Sequence, residues 1–148
     1  MKLVSQGAQY AISAIIALSK QEDSRAVSAS VLAKALDCPA AYLSQILAKL
    51  KKPGILKSQR GLNGGVFLAK SVKDISVYEV IVAVDGDSFF SNCFMGIEGC
   101  GHIEPCPFHL FWSTQREYIK LWLQETNFED TEKAMSQVWF EQQLSFNS

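Results

Sequence analysis

Two short amphipathic segments in tandem, followed at once by a glycine-rich pair of strand candidates, leave this chain few folds to adopt. Ser28 can cap the first segment, with Val31, Leu32, Ala35 and Leu36 facing inward. Asp37-Cys38-Pro39 breaks it, because Pro39 restricts Cys38 to extended geometry. The second segment runs from about Ala40 to Lys51 with the apolar stripe Leu43, Ile46, Leu47 and Leu50. Lys52-Pro53-Gly54 ends it. Ile55–Ser58 and Val66–Ala69 are strand candidates, and Asn63-Gly64 between them predicts a hairpin, since both residues tolerate positive φ. Helix, turn, helix and hairpin in that order predict a winged helix-turn-helix, mainly α with a small β wing.

The second helix turns Ala41, Ser44, Gln45, Ala48, Lys49 and Lys52 away from its stripe. A face so small, polar and basic suits a major groove, where side chains hydrogen-bond base edges. Arg60, close to the hairpin tip, suits a phosphate or a minor groove. Ser44, Gln45, Lys49, Lys52, Arg60 and Asn63 are therefore the expected contacts to double-stranded DNA. Charge agrees. The net charge of −1 divides into +7 over residues 1–75 and −8 over residues 76–148. A basic half attracts a polyanion and an acidic half is repelled by it.

Flanking segments complete the outline. Ala8, Ala11, Ile12, Ile15, Ile16 and Leu18 give a helix over Gln6 to Lys20. Ser76 can cap a helix through Ile81 to Val84, closed by Asp85-Gly86. A long helix from about Pro107 to Glu125 sets Phe108, Phe111, Trp112, Ile119, Trp122 and Leu123 along one side. Aromatic surface on that scale demands a partner, and a second subunit supplies one, giving a homodimer matched to a palindromic operator. A last helix is expected over Asp130 to Leu144. The expected division is a winged helix-turn-helix over 1–75, a linker helix and cysteine loop over 76–106, and dimerisation helices over 107–148. No apolar run approaches the ~20 residues that span a membrane. Met1 to Gly7 also lack a signal-peptide pattern, so a cytoplasmic protein is expected.

Three of the four cysteines, Cys93, Cys100 and Cys106, fall in an irregular loop at residues 87–106. In a reducing compartment such a group means metal or redox chemistry more often than disulfides. His109 follows Cys106 by three residues, so the pair can share a centre at a helix start, where backbone amides favour thiolates. Three thiolates and an imidazole satisfy zinc or an iron–sulfur cluster. The spacings are wider than usual zinc pairs. His102, Glu98 and Glu104 stand in the same loop as alternative fourth ligands. Cys38 reads as a small buried residue. A cysteine-based redox enzyme is disfavoured, because no Cys-x-x-Cys pair, phosphate loop or catalytic carboxylate pair accompanies the thiols.

With these stretches in view, the chain resembles the IscR, NsrR and RirA regulators, bacterial winged-helix proteins that bind iron–sulfur clusters. The matching residues are Met1-Lys2-Leu3, the helix Tyr42 to Leu50, the wing Arg60 to Ala69, Ile75-Ser76, Asp85-Gly86 and the spaced cysteines. The resemblance implies a transcription regulator, not an enzyme, dimerised on the long fifth helix. It implies Cys93, Cys100 and Cys106 as cluster ligands. His109 stands where IscR-like members place their histidine ligand, which implies a 2Fe–2S cluster, with 4Fe–4S as the alternative. Ser44 occupies the position of a glutamate in those members.

Overall fold

The computed structural model describes residues 2–21, 25–98 and 105–129. The helix expected over Asp130 to Leu144 and the loop residues Cys100, His102 and Glu104 lie outside them.

Helix α1 (Gln6–Ser19) begins at Ser5, whose hydroxyl accepts from the Ala8 amide. The same Ser5 donates through its amide and hydroxyl to the Asp85 carboxylate, so the start of α1 is tied to the end of α4 (Val77–Asp85). Small residues Ala8, Ala11 and Ala14 are fully buried, which lets α3 (Ala40–Lys51) and α4 approach α1 closely. Helix α2 (Ala29–Leu36) is capped by Ser28, as its sequence predicts, and ends on Asp37 at φ 52°. Of its expected inward residues, Leu32 is buried and Ala35 and Leu36 are partly so, whereas Val31 is 59% exposed and Ala33 takes the buried position. An eight-residue helix has little more than one buried row, and spacing alone does not say which residues line it. In α3 the predicted stripe is the observed one: Leu43, Ile46, Leu47 and Leu50 are all buried.

Strands β1 (Leu56–Gln59) and β2 (Gly65–Leu68) pair antiparallel, with Leu56 opposite Leu68 and Gln59 opposite Gly65. The connecting turn closes through the Gly64 amide to the Gly61 carbonyl, 3.0 Å. Positive φ falls on Gly61 and Gly65, not on Asn63 and Gly64 as the dipeptide predicts. The loop is longer than a two-residue hairpin, so the left-handed positions move to its ends. Val27 bridges Val66 through amide–carbonyl bonds in both directions, 2.9 and 2.8 Å, adding a third edge to the wing.

A capping box at Ser76 and Glu79 starts α4, whose Val80, Ile81 and Val84 join the core formed with α1 and α3. Helix α5 (His109–Glu125) follows the cysteine loop. Its end is stitched back to the body. The Val77 amide donates to the Thr126 carbonyl at 2.8 Å and the Phe128 amide to that of Val72 at 3.1 Å, and the Phe128 ring is buried in the core.

Helix α5 has two faces. At about 100° per residue, Trp112, Arg116, Ile119 and Leu123 fall on one side and are buried or half-buried. Leu110, Phe111, Tyr118, Leu121 and Trp122 fall on the other and are exposed, Phe111 by 71% and Trp122 by 57%. The residues expected along one side thus divide between two.

A Cβ on Gly65 would stand 2.2 Å from the Val27 carbonyl carbon, at a φ of +155°. Gly65→Ala is expected to cost about 2–4 kcal/mol through that clash and the disallowed backbone. A lowered urea midpoint with an unchanged slope is the expected result; an unaltered midpoint would contradict the close approach.

Candidate metal centre and nucleic-acid interface

Ser44 and Gln45 lie together on the exposed side of α3, flanked by Ala41 and Ala48, whose short side chains keep that surface open. Lys52 is exposed at the C-cap. Lys49 is exposed too, but its ammonium donates to the Val84 carbonyl at the end of α4, 3.3 Å away. A lysine on terminal helix carbonyls is favourable, and it sets Lys49 at the α3–α4 seam. Arg60 follows β1 and Asn63 lies in the wing turn, both exposed. Leu62 at the tip has no cover at all. The wing turn also faces a cleft of about 760 Å³ against the segment leading into α2, lined by Arg25, Ser28, Gln59 and Asn63 among others. Sequence reasoning passes over Arg25, although a cation just ahead of the Ser28 cap is an available signal.

The cysteine loop is strapped to α5. Cys93 is 3% exposed. Its sulfur lies 3.6 Å from that of Cys106 and accepts from the Met95 amide at 3.4 Å. Cys106 is half-buried, and its carbonyl accepts from the amide of His109, the first residue of α5, at 3.0 Å. The helix therefore starts two residues later than Pro107, the start its sequence predicts. Just ahead of Cys93, the Asn92 carbonyl accepts from Trp112 Nε1 at 2.9 Å and from Arg116 Nη1 at 2.7 Å. Phe89 and Phe94 pack their rings on Trp112 at centroid separations of 5.7 and 5.8 Å, and Phe94 also meets Phe108 at 5.0 Å. Spacing foretells none of this clamp. A buried cation and an indole nitrogen have signatures only once their partner carbonyl is in place.

The thiol pair fits a shared metal atom. Two thiolates on one tetrahedral ion at ~2.3 Å each stand roughly 3.8 Å apart, close to the 3.6 Å observed. Cys93 and Cys106 are brought together and His109 heads the adjoining helix; Glu98 is exposed. Among the described residues no group of three or more His, Cys, Asp or Glu side chains converges, and Cys100, the expected third thiol, lies outside them. Cys38 sits elsewhere, half-buried after α2, its thiol pKa raised by burial and by the neighbouring Asp37 charge. That holds it as an inert thiol. No described helix is long and apolar enough to cross a membrane.

Comparison with known proteins matches residues 4–133 to the family model Rrf2, described as an iron-dependent transcriptional regulator. The HTH-type transcriptional regulator IscR of Photorhabdus laumondii is 31% identical over 130 residues, covering 88% of this chain and 78% of that one. Among solved structures, IscR of T. potens superposes with TM-score 0.69 at 27% identity, covering 93% of each chain. CymR of B. subtilis, titled a global cysteine regulator, superposes with TM-score 0.74 at 25% identity, covering 92% of this chain and all of that one. These relatives are named as regulators, not enzymes, and the helix–helix–wing order is theirs. With the family model spanning most of its length, the chain belongs to the Rrf2 family of winged-helix, DNA-binding transcriptional regulators.

Proposed function

We propose that this regulator senses the state of an iron–sulfur cluster and acts as a homodimer on a palindromic operator. The observation that carries the reading is the buried Cys93 sulfur, 3.6 Å from Cys106 and clamped to the base of α5. Cys93, Cys100, Cys106 and His109 would hold the cluster, of the 2Fe–2S type, with 4Fe–4S as the alternative. When bound, such a cluster supplies a redox-active centre whose potential follows its charge and hydrogen bonding. The chain's own residues do the rest. Asn92 fixes the loop to Trp112 and Arg116. The outward stripe of α5 seeks a second copy, since an aromatic face this large is unfavourable in water. Ser44 and Gln45 meet bases, while Lys52, Arg60 and Asn63 meet phosphate or the minor groove, with Lys49 at the edge of that surface. A loop that is held or released at the start of α5 shifts a two-state balance between settings of the two recognition helices. Soluble, cytoplasmic residence follows from this role.

A second reading, a cluster-free thiol or zinc regulator, draws support from the likeness to a cysteine regulator. One preparation separates them. Protein isolated without oxygen should be coloured, with iron and sulfide in equal amounts. Cys106→Ser should lose the colour, and His109→Ala should shift the spectrum while keeping iron. A colourless protein with one zinc per chain would establish the second reading instead.

Arg60→Ala should weaken operator binding and reduce the slope of log affinity against log salt by about 0.9 for each phosphate that Arg60 neutralises. An unchanged slope removes Arg60 from the phosphate-binding set. Trp122→Glu should halve the mass measured by light scattering, from twice the 16.4 kDa chain to the chain itself. Persistence of the dimer would move the interface off α5.

A further inference from the structure

Arg116 is the buried charged residue of the described chain, 9% exposed. Its Nη1 holds the Asn92 carbonyl, but its Nε is buried with no hydrogen-bond partner. No described carboxylate lies within 4.0 Å of it; the ion pair among the described residues joins Lys70 and Glu79, far along the chain. Glu117 on the same helix, and Asp87 and Glu98 in the loop, are exposed. Lys120, one turn on, adds a second cation over the Tyr78 ring. Burying a guanidinium without a negative partner is costly, because its attraction to water is lost and nothing replaces it.

The position of this cation is specific. The carbonyl it grips belongs to the peptide that carries the Cys93 amide, and Cys93 is a thiol almost wholly removed from water. Three thiolates and a neutral imidazole around a dipositive metal or oxidised 2Fe–2S core leave one net negative charge, and reduction of the cluster adds another. We propose that Arg116 is the counter-charge of the cysteine centre: a positioning residue that holds the Cys93 loop and favours its anionic, metal-loaded form. This rests on the metal-binding reading above. Trp112 shares the Asn92 carbonyl but is neutral, so it positions the loop without supplying charge.

The role makes opposite demands on the loaded and the empty protein. In the metal-free chain Arg116 is a buried cation with no carboxylate partner among the described residues, and replacing it with an apolar residue of similar length relieves that cost. Trp112 still satisfies Asn92. In the loaded chain the same replacement strips an anionic centre of its partner. A residue that merely braces the loop would weaken both.

The test uses the full chain under anaerobic conditions, with Co(II) as the probe because thiolate ligation gives it an intense charge-transfer band. Wild type, Arg116→Met and Arg116→Lys are compared for Co(II) affinity, for metal-free melting temperature and, after cluster reconstitution, for reduction potential. Arg116→Met should bind Co(II) about tenfold or more weakly, the usual loss for a disrupted outer-shell partner. It should melt no lower than wild type when metal-free, and its cluster potential should move negative. Arg116→Lys, which keeps the charge, should recover most of the affinity. Unchanged Co(II) binding in Arg116→Met overturns the proposal. So does equal damage by Lys and Met, or a metal-free Met variant that melts well below wild type. Absence of a thiolate–cobalt band in the wild type is a different failure. It removes the metal-binding reading itself and this proposal with it, before any variant is compared.

Discussion

One backbone carbonyl, that of Asn92, receives both polar donors that α5 sends inward. A carbonyl has two lone pairs and can satisfy both. That pair of hydrogen bonds fixes the loop carrying Cys93 to the first half of α5, while the Thr126–Phe128 stitches fix the helix's far end to α4 and the body of the domain. The helix is thus held at two places by backbone groups, in addition to its buried apolar face. Ile119 and Leu123 fill the space between. The opposite face of α5, with Phe111 and Trp122, is exposed.

The winged domain owes its cohesion to a different device. Alanines on α1 let α3 and α4 approach, and the caps at Ser5, Ser28 and Ser76 satisfy first-turn helix amides that have no partner within the helix. Asp85 serves Ser5 from the end of α4, so the first and fourth helices close on each other around Ile15, Leu43 and Ile81. The exposed face of α3 is then carried on a rigid frame: the helix is pinned by its stripe of four buried residues.

Much of this is legible in the residue pattern. The caps at Ser28 and Ser76 and the stripe Leu43, Ile46, Leu47 and Leu50 follow from local rules, and the structure repeats them. The pattern misleads where tertiary partners decide. Spacing turns Val31 inward, but the short α2 has only one covered row. The hairpin glycines take positive φ at Gly61 and Gly65 because the turn is wider than Asn63-Gly64 alone requires. Trp112 and Trp122 look alike in composition, yet one donates to Asn92 and the other meets solvent. Phe128 and Arg116 carry no periodic signal. Their burial depends on chain segments far away in sequence, which spacing cannot register. The thiol spacing predicts a shared centre; the structure sets the Cys93 and Cys106 sulfurs 3.6 Å apart, and Cys100 lies outside the described residues.

The bridge between Val27 and Val66 bears on how the wing can behave. A free hairpin adjusts to its target by swinging about its base. Here the base is laced to the strand-like lead into α2, and Gly65 lets those backbones touch. Hairpin and helix-turn-helix therefore travel as one rigid body, leaving compliance only at the uncovered Leu62 tip. Variation in groove width from one binding site to the next must then be absorbed by bending of the duplex, so sequence-dependent stiffness of the DNA becomes part of what such a protein reads.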